Sequence, residues 1–423
     1  MRSANILARS ELRLQFGITR HAKNLLSSHG EDFGRPTRVC TALVATSVVN
    51  YDRFFARGGS VTKRKRLVLE VAVVTALSTS AWAQTDNYPL TLVPQGKGPY
   101  TFPDGYRTDY SKVQIALAEK LSPNLYVLRG NEGVDPTHPE AEGGRIGVLF
   151  GTEGVLMVDS QNPTLGDKIL AQIHSFTGAP IRFLINTHVH PDHIGNNAFF
   201  AKQGAVIIAS ENLRNEMLPN PNAPPRLAGA PPVALIDPAS LPVATVAFDL
   251  ANPGKSAMTI HLDGETVDII PLGPGHTAGD TAIRFQKANA IFFGDVIRNF
   301  GGPYIDQANG GSIIGAIQTL DLLSKISDDQ TLLVPGHGAL MHRKDFVPLR
   351  SMFVDLLAET GKMVASGKSV TDVEKADLMA RYENSLPGYT QAAADRFAEE
   401  LYYEVKGLPP IVDGRRAMPR PPG

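Results

Sequence analysis

Thr187-His188-Val189-His190-Pro191-Asp192-His193 is the stretch on which the reading of this chain turns. It follows Ile181 to Ile185, an apolar run that reads as a buried strand. Side chains two apart in an extended segment point the same way, so His188 and His190 share a face. Pro191 ends the strand, and the turn aims Asp192 and His193 at the same space from a second direction. Gly195-Asn196-Asn197 then opens a helix, Ala198 to Lys202. Three imidazoles and a carboxylate at a strand end read as a metal nest. The competing reading, a histidine-rich surface turn, weakens when the rest of the chain is followed.

Three further groups sit in similar settings. His276 lies in Gly273-Pro274-Gly275-His276-Thr277, after the expected strand Thr266 to Leu272. Asp295 follows Ala290-Ile291-Phe292-Phe293-Gly294, and His337 follows Thr331-Leu332-Leu333-Val334-Pro335-Gly336. Each is an apolar strand, a glycine turn, and then one side chain of a metal-binding type. Glycine permits the tight backbone that brings such a side chain in close. Ligands of α/β proteins gather at the carboxyl ends of strands, and all four stretches follow that rule.

The pattern His188-x-His190-x-Asp192-His193, then His276, Asp295 and His337, resembles the metallo-β-lactamase superfamily over roughly residues 120 to 345. The resemblance implies that His188, His190 and His276 hold one metal and that Asp192, His193 and His337 hold a second. Asp295 would bridge them. Asp159, which ends Val155-Leu156-Met157-Val158, matches the family's early aspartate, a residue that orients the histidine loop from behind. The implied fold is α/β in the α+β sense: an αββα sandwich of two mixed β-sheets flanked by helices, with the metals at one edge.

The chain has 423 residues, 43% apolar and 20% charged, ordinary values for a soluble globular protein. Its net charge of −1 hides an asymmetry. Residues 1–83 hold 13 Lys+Arg and 5 Asp+Glu of the totals of 41 and 42, which leaves 28 and 37 for the acidic remainder. That balance argues against nucleic acid as a partner. The basic excess begins a secretion signal. Lys63-Arg64-Lys65-Arg66 precedes the mostly apolar Leu67 to Leu77, and Ala81-Trp82-Ala83 is a cleavage site. Residues 61–83 are therefore read as a signal peptide cut after Ala83, and 1–60 as a dispensable or wrongly assigned extension. A true N-terminal extension with an internal anchor helix is the alternative. A periplasmic or secreted protein with no membrane span in the mature chain follows from the first reading. Cys40 is the only cysteine, so neither a disulfide framework nor a thiolate metal site is expected.

Residues 84–119 read as a Pro/Gly-rich lead, 120–345 as the metallo-β-lactamase-like domain, 346–407 as C-terminal helices and 408–423 as a loose tail. Within the domain, strands are expected at Leu125 to Leu128, Ile146 to Phe150, Val155 to Val158, Ala205 to Ala209, Val243 to Phe248, Met258 to Leu262, Ala282 to Phe285 and Ala290 to Phe293. Asp167 to Phe176, Glu211 to Met217 and Ser312 to Ser327 have helical spacing. Pro219 to Pro232 is a long aperiodic loop that either shapes the site or is plain surface. Phe346 to Ala365, Val373 to Tyr382 and Gln391 to Val405 read as helices. The stripe Phe397, Leu401 and Val405 suits docking on the outer face or a homodimer interface.

Imidazole and carboxylate donors suit zinc, with iron or manganese as alternatives, and structural zinc sites usually carry more cysteine than this. Two zinc ions about 3.5–4 Å apart would share a water and activate it as a hydroxide. The resemblance then implies a hydrolase that cleaves an acyl bond in a small-molecule substrate: a lactam, lactone, ester or thioester. Asp192 would be both ligand and catalytic residue, orienting the nucleophile or taking its proton. Aspartate at 295, where many true β-lactamases of the fold carry cysteine, is more similar to glyoxalase II-type thioesterases, lactonases and phosphodiesterases, although the Lys/Arg cluster with which the thioesterases read a glutathione tail is not evident near the site loops. The segment Arg298-Asn299-Phe300-Gly301-Gly302-Pro303-Tyr304-Ile305-Asp306 is the expected substrate contact, through Asn299 and Tyr304. His138, His174, His261 and His342 are read as structural or surface residues. Two other classes stay open: a mononuclear-iron persulfide dioxygenase on the same fold, and a metal-binding module without turnover.

Overall fold

The protein is described from a computed structural model, which covers residues 110–131, 142–217, 244–300, 302–411, 416 and 418. The expected extension, signal peptide, 219–232 loop and His138 lie outside the described residues, as does most of the lead and tail.

The first sheet is built in chain order. Ile115–Ser122 (β1), Leu125–Gly130 (β2), Ile146–Phe150 (β3) and Val155–Val158 (β4) form antiparallel neighbours. Ile181–Ile185 (β5), Val206–Ser210 (β6) and Val246–Phe248 (β7) extend it in parallel. Parallel strands need a crossover. It is supplied by Gly166–His174 (α1) between β4 and β5, and by Pro191–Ile194 (α2) with Asn197–Lys202 (α3) between β5 and β6. Glu211–Met217 (α4) follows β6.

The second sheet contains Met258–Leu262 (β8), Glu265–Pro271 (β9), Thr281–Phe285 (β10), Ala290–Phe292 (β11) and Leu332–Val334 (β12), in the order β12-β11-β10-β9-β8. Ile313–Ile326 (α5) makes the one parallel crossover in it, between β11 and β12. Asp263 and Gly264, both at positive φ (49° and 74°), close the β8–β9 hairpin, the backbone that Asp-Gly favours in two-residue turns.

Strand alternation divides the apolar residues between layers. In β4, Leu156 and Val158 face the second sheet and pack with Ile269, Ile283, Phe292 and Val334. Val155 and Met157 face outward to Ile169 and Ile173 of α1. In the second sheet Ile291 and Ile270 point away from the first, toward Ala316, Leu320 and Leu323 of α5. The result is two mixed sheets face to face with helices outside, the expected αββα sandwich.

Phe346–Ala365 (α6), Val370–Ala376 (α7) and Gln391–Lys406 (α8) follow. Phe346, Phe353 and Leu356 of α6 and Phe397 and Leu401 of α8 join the layer outside the second sheet. Among the described residues no helix is long and apolar enough to cross a membrane.

Three details differ from the sequence reading. Strand β1 begins at Ile115, inside the stretch read as a lead; its exposed edge and two register shifts blur the alternation that would mark it. The helix expected at Val373 to Tyr382 starts at Val370, where Ser369 and Asp372 form a capping box, and stops at Asp377 in the left-handed region (φ 45°). The buried face of α8 is not purely apolar: Glu400 and Glu404 lie in it beside Phe397 and Leu401.

Candidate metal centre

All seven donor residues read from the sequence meet at one edge of the sandwich. The chain bends at 187–189 after β5, carrying His188; His190 is extended and is the residue before α2, with Pro191 in its first turn. That is where proline suits a helix, since its missing N–H has no partner there anyway. Asp192 and His193 therefore project from a helical turn rather than a loop. His276, Asp295 and His337 occupy the turns after β9, β11 and β12. Three overlapping groups have donor atoms within 4.8 Å of one another: His188/His190/His276, His188/His193/Asp295, and Asp192/His193/His337.

The carboxylate of Asp295 stands between the other donors. Its Oδ1 is 3.3 Å from His193 Nε2; its Oδ2 is 3.3 Å from His337 Nε2 and 4.0 Å from His276 Nε2. Asp192 Oδ2 is 2.9 Å from His337 Nε2 and 3.5 Å from His193 Nε2. Glycine is required at two points of close approach. A Cβ on Gly336 would lie 2.0 Å from Asp295 Oδ1, and one on Gly294 (φ 58°) 2.7 Å from Thr187 Oγ1.

Four of the five rings are aimed by their outer nitrogens. Asp159, itself at φ 62°, accepts from Thr187 N (2.8 Å), from Thr187 Oγ1 (2.7 Å) and from His193 Nδ1 (2.7 Å). With its proton given to Asp159, the Thr187 hydroxyl accepts from His188 Nδ1 at 3.0 Å. His190 Nε2 donates to Asp306 Oδ2 (2.8 Å) and His276 Nδ1 to the Tyr304 carbonyl (2.8 Å). The Asp159 reading of the sequence thus has a geometric counterpart. Asp306 and Asp280 were not singled out there. Asp280 accepts from His276 N, Thr277 N and Thr277 Oγ1, and so shapes the His276 turn. Its position just past the histidine in the same glycine-rich turn was the available signal.

The inner atoms test whether a metal fits. His188 Nε2, His193 Nε2 and Asp295 Oδ1 are buried without a hydrogen-bond partner among the described residues, a costly arrangement for a protein interior. His190 Nδ1 and His276 Nε2 face each other at 2.9 Å. Their outer nitrogens already serve oxygen acceptors, so the two inner lone pairs converge on a point that a shared proton or a metal cation would satisfy. The donor set is nitrogen and carboxylate oxygen only, a zinc-type mixture.

Charge divides the nest. Burial holds His188 well below the usual imidazole range, and burial beside His190 brings His276 down to about 3. Burial also opposes charge on His337 and His193, but neighbouring carboxylates outweigh it. Asp295 and Asp192 bring His337 up to about 9, and Asp192, Asp295 and Asp159 hold His193 well above its ordinary value. Against burial, His193 and His337 keep Asp192 and Asp295 below the carboxylate range. Burial pushes Asp280 up to about 7.

The expected substrate contacts lie at the rim. The Tyr304 ring stacks on His190 (5.7 Å, 8°) and is covered by the Arg396 guanidinium at 4.4 Å from its centroid. Asn299 Nδ2 donates to the Ala339 carbonyl at 2.9 Å, beside the His337 turn. Arg298 lies buried with its Nε 3.9 Å from Asp295. The two arginines near the site come from separate parts of the chain, which is why no basic cluster shows in the sequence. His174 and His261 are exposed, and His342 caps a short 3-10 turn.

An αββα sandwich with a histidine–aspartate nest at its edge defines a class of metal-binding, hydrolase-like proteins. Residues 141–337 match the family model of the Metallo-beta-lactamase superfamily. The hydroxyacylglutathione hydrolase of a Polaromonas species is 29% identical over 177 residues, 41% of this chain and 54% of that protein. The 2,4-dinitroanisole O-demethylase subunit alpha of a Nocardioides species is 26% identical over 200 residues, 47% of this chain and 53% of that one. The chain thus spans about half the length of these relatives. Among solved structures, a metallo-beta-lactamase from Pontibacter korlensis aligns with a TM-score of 0.45 at 16% identity, over 57% of this chain and 99% of that one.

Proposed function

We propose that this chain is a zinc-dependent hydrolase that cleaves an acyl bond in a small molecule. His188, His190 and His276 would hold one ion, Asp192, His193 and His337 a second, with Asp295 between them. The observation that carries this reading is the convergence of inward-facing donors that make no hydrogen bond among the described residues: His188 Nε2, and His193 Nε2 and Asp295 Oδ1, which face each other as an ion pair at 3.3 Å. Zinc at such a point lowers the pKa of a water and polarises a carbonyl oxygen.

The residues of the chain divide the remaining work. Asp192 is the most open of the donors to solvent, with 21% of its side chain exposed against 4% for Asp295. Held ionised by the neighbouring histidines, it is an acceptor that orients a nucleophilic water. Asp159 and Thr187 lock His188 and His193 in the tautomers that turn Nε2 inward. Asn299 Oδ1 has no partner among the described residues, and it and Tyr304 sit where a substrate enters. The hydroxyacylglutathione hydrolase likeness supports an acyl bond, thioesters included. The mature protein is proposed to be periplasmic.

The test is a panel of lactams, lactones, esters, thioesters and phosphodiesters given to the zinc-loaded protein. Turnover of one acyl class, abolished in Asp192→Ala, is expected. One tightly held iron per chain with oxygen consumption on a persulfide would overturn the hydrolase reading. Metal uptake without turnover of any substrate would favour a binding module.

A further inference from the structure

Glutamates are rarely buried unless they are paired or hydrogen-bonded. Glu400 and Glu404, one turn apart on α8, are only 6% and 8% exposed. Glu404 accepts from Ser312 Oγ (2.7 Å), Ile313 N (2.9 Å), Ile314 N (3.2 Å) and Gln307 Nε2 (3.2 Å). It therefore caps the first turn of α5 and grips the preceding loop. Glu400 Oε2 accepts from Ile305 N (3.0 Å), and the Glu400 carbonyl accepts from Gln307 Nε2 (2.8 Å).

The loop they grip carries the supports of two of the three histidines of the His188/His190/His276 group. Asp306 takes the outer N–H of His190, and the Tyr304 carbonyl takes that of His276. The same loop encloses the His276 turn, through Asp306 N to the His276 carbonyl (3.0 Å), Ser312 N to the Gly275 carbonyl (2.8 Å) and Ala278 N to the Asn309 carbonyl (2.8 Å). Arg396, one turn before Glu400, covers the Tyr304 ring from outside. Among the described residues, no hydrogen bond joins α8 to Asp159, Asp192, His193, Asp295 or His337. Helix α8 also lies outside the segment 141–337 that matches the superfamily.

We propose that α8 is part of the metal centre. Glu400 and Glu404 are positioning residues that hold the loop from Tyr304 to Ser312, and through it set the affinity of the His188/His190/His276 group for its ion. This rests on the two-ion reading above. Their action is one-sided: the ion of the Asp192/His193/His337 group does not depend on them.

Zinc affinities of the full chain, measured by chelator competition, test this. Glu404→Gln puts an NH₂ against several donors, and Glu400→Ala removes the acceptor for Ile305 N. Each is expected to weaken one of the two ions by about tenfold or more, the usual size of such outer contacts, and to leave the other unchanged. Glu400→Gln keeps an amide oxygen for Ile305 N and should restore most of the affinity lost in Glu400→Ala. In a His276→Ala background, which keeps only the second ion, adding Glu404→Gln should change nothing. Cobalt substitution supplies a spectroscopic check, since only one of the two bands should shift. Should Glu404→Gln not fold, the Glu400→Ala and Glu400→Gln pair reads the same contact. Wild-type affinities in both Glu404→Gln and Glu400→Ala, or equal loss of both ions with the fold intact, would overturn the inference. A wild-type chain that takes up no zinc would instead sink the two-ion reading, and this inference with it.

Discussion

The two halves of the nest share donors of similar kind but differ in charge and in what supports them. The His188/His190/His276 group is all imidazole, with burial suppressing charge on His188 and His276. The outer supports of His190 and His276 come from a loop of the second half of the chain, and that of His188 from Thr187. The Asp192/His193/His337 group is acid-rich, and its histidines carry protons until a metal displaces them. It leans on Asp159, at the end of β4. One half has two rings that burial keeps uncharged; the other is a set of ion pairs that a cation must replace. Asp295 belongs to both and ties their spacing together.

The largest effect is therefore expected at Asp295. Asp295→Ala should cut turnover by a factor of about 10²–10³, a loss of about 3–4 kcal/mol of transition-state stabilisation, measured by steady-state kinetics on whichever substrate the panel identifies. Near-normal rates in that variant would mean that the two halves work independently.

Next come the single-group variants. His276→Ala and His193→Ala should each lose one metal, from different halves, by elemental analysis of the purified protein. If both retained two ions, the division drawn here would be wrong.

Proton competition sharpens the comparison further. His337 is held near 9 in the metal-free protein against an ordinary 6.5, so the folded state holds its proton more tightly than the unfolded chain. The stability this contributes is fully present below about pH 6.5 and is lost as pH rises through about 9. For the same reason, zinc uptake by this half must expel that proton, and its apparent affinity should climb with pH up to about 9. His276, brought down to about 3, has no proton to surrender at neutral pH. Isothermal titration in buffers of different ionisation enthalpy should show proton release for one ion and much less for the other. Equal proton release for both would erase the distinction.

The smallest effect is expected at Thr187. Thr187→Val removes the hydroxyl between Asp159 and His188 while keeping the side-chain shape. It should lower stability by about 1–3 kcal/mol, the cost of leaving buried partners unsatisfied, with both ions retained. Denaturant unfolding of the metal-free variant checks this.

Much of the site was legible because its donors are rare residue types placed immediately after apolar strands. His188, His190, His193, His276 and His337 each follow a run whose burial could be read directly, and a histidine there has few other uses. The αββα layering was legible through the family resemblance; locally, the unbroken apolar run Val155–Val158 implied only a buried strand, and β4 is buried throughout. Asp306, Asp280, Glu400 and Glu404 were not legible. Carboxylates are common on surfaces, and nothing local separates one that faces water from one that faces a backbone N–H. The stripe read on α8 was Phe397, Leu401 and Val405; the structure puts Glu400 and Glu404 in the buried face.

By itself, then, the amino-acid sequence determined the kinds of donor atom, their order along the chain and the strand ends that carry them. These are local properties, set by side-chain periodicity, by glycine and proline in the turns, and by the chemistry of imidazole and carboxylate. Tertiary structure alone decided which nitrogen of each ring faces inward, because that depends on the partner of the other nitrogen: Asp159 for His193, Asp306 for His190, the Tyr304 carbonyl for His276. It also decided the charge of each histidine, since burial and the distance to a carboxylate compete at every ring, and neither is a property of any single stretch of chain.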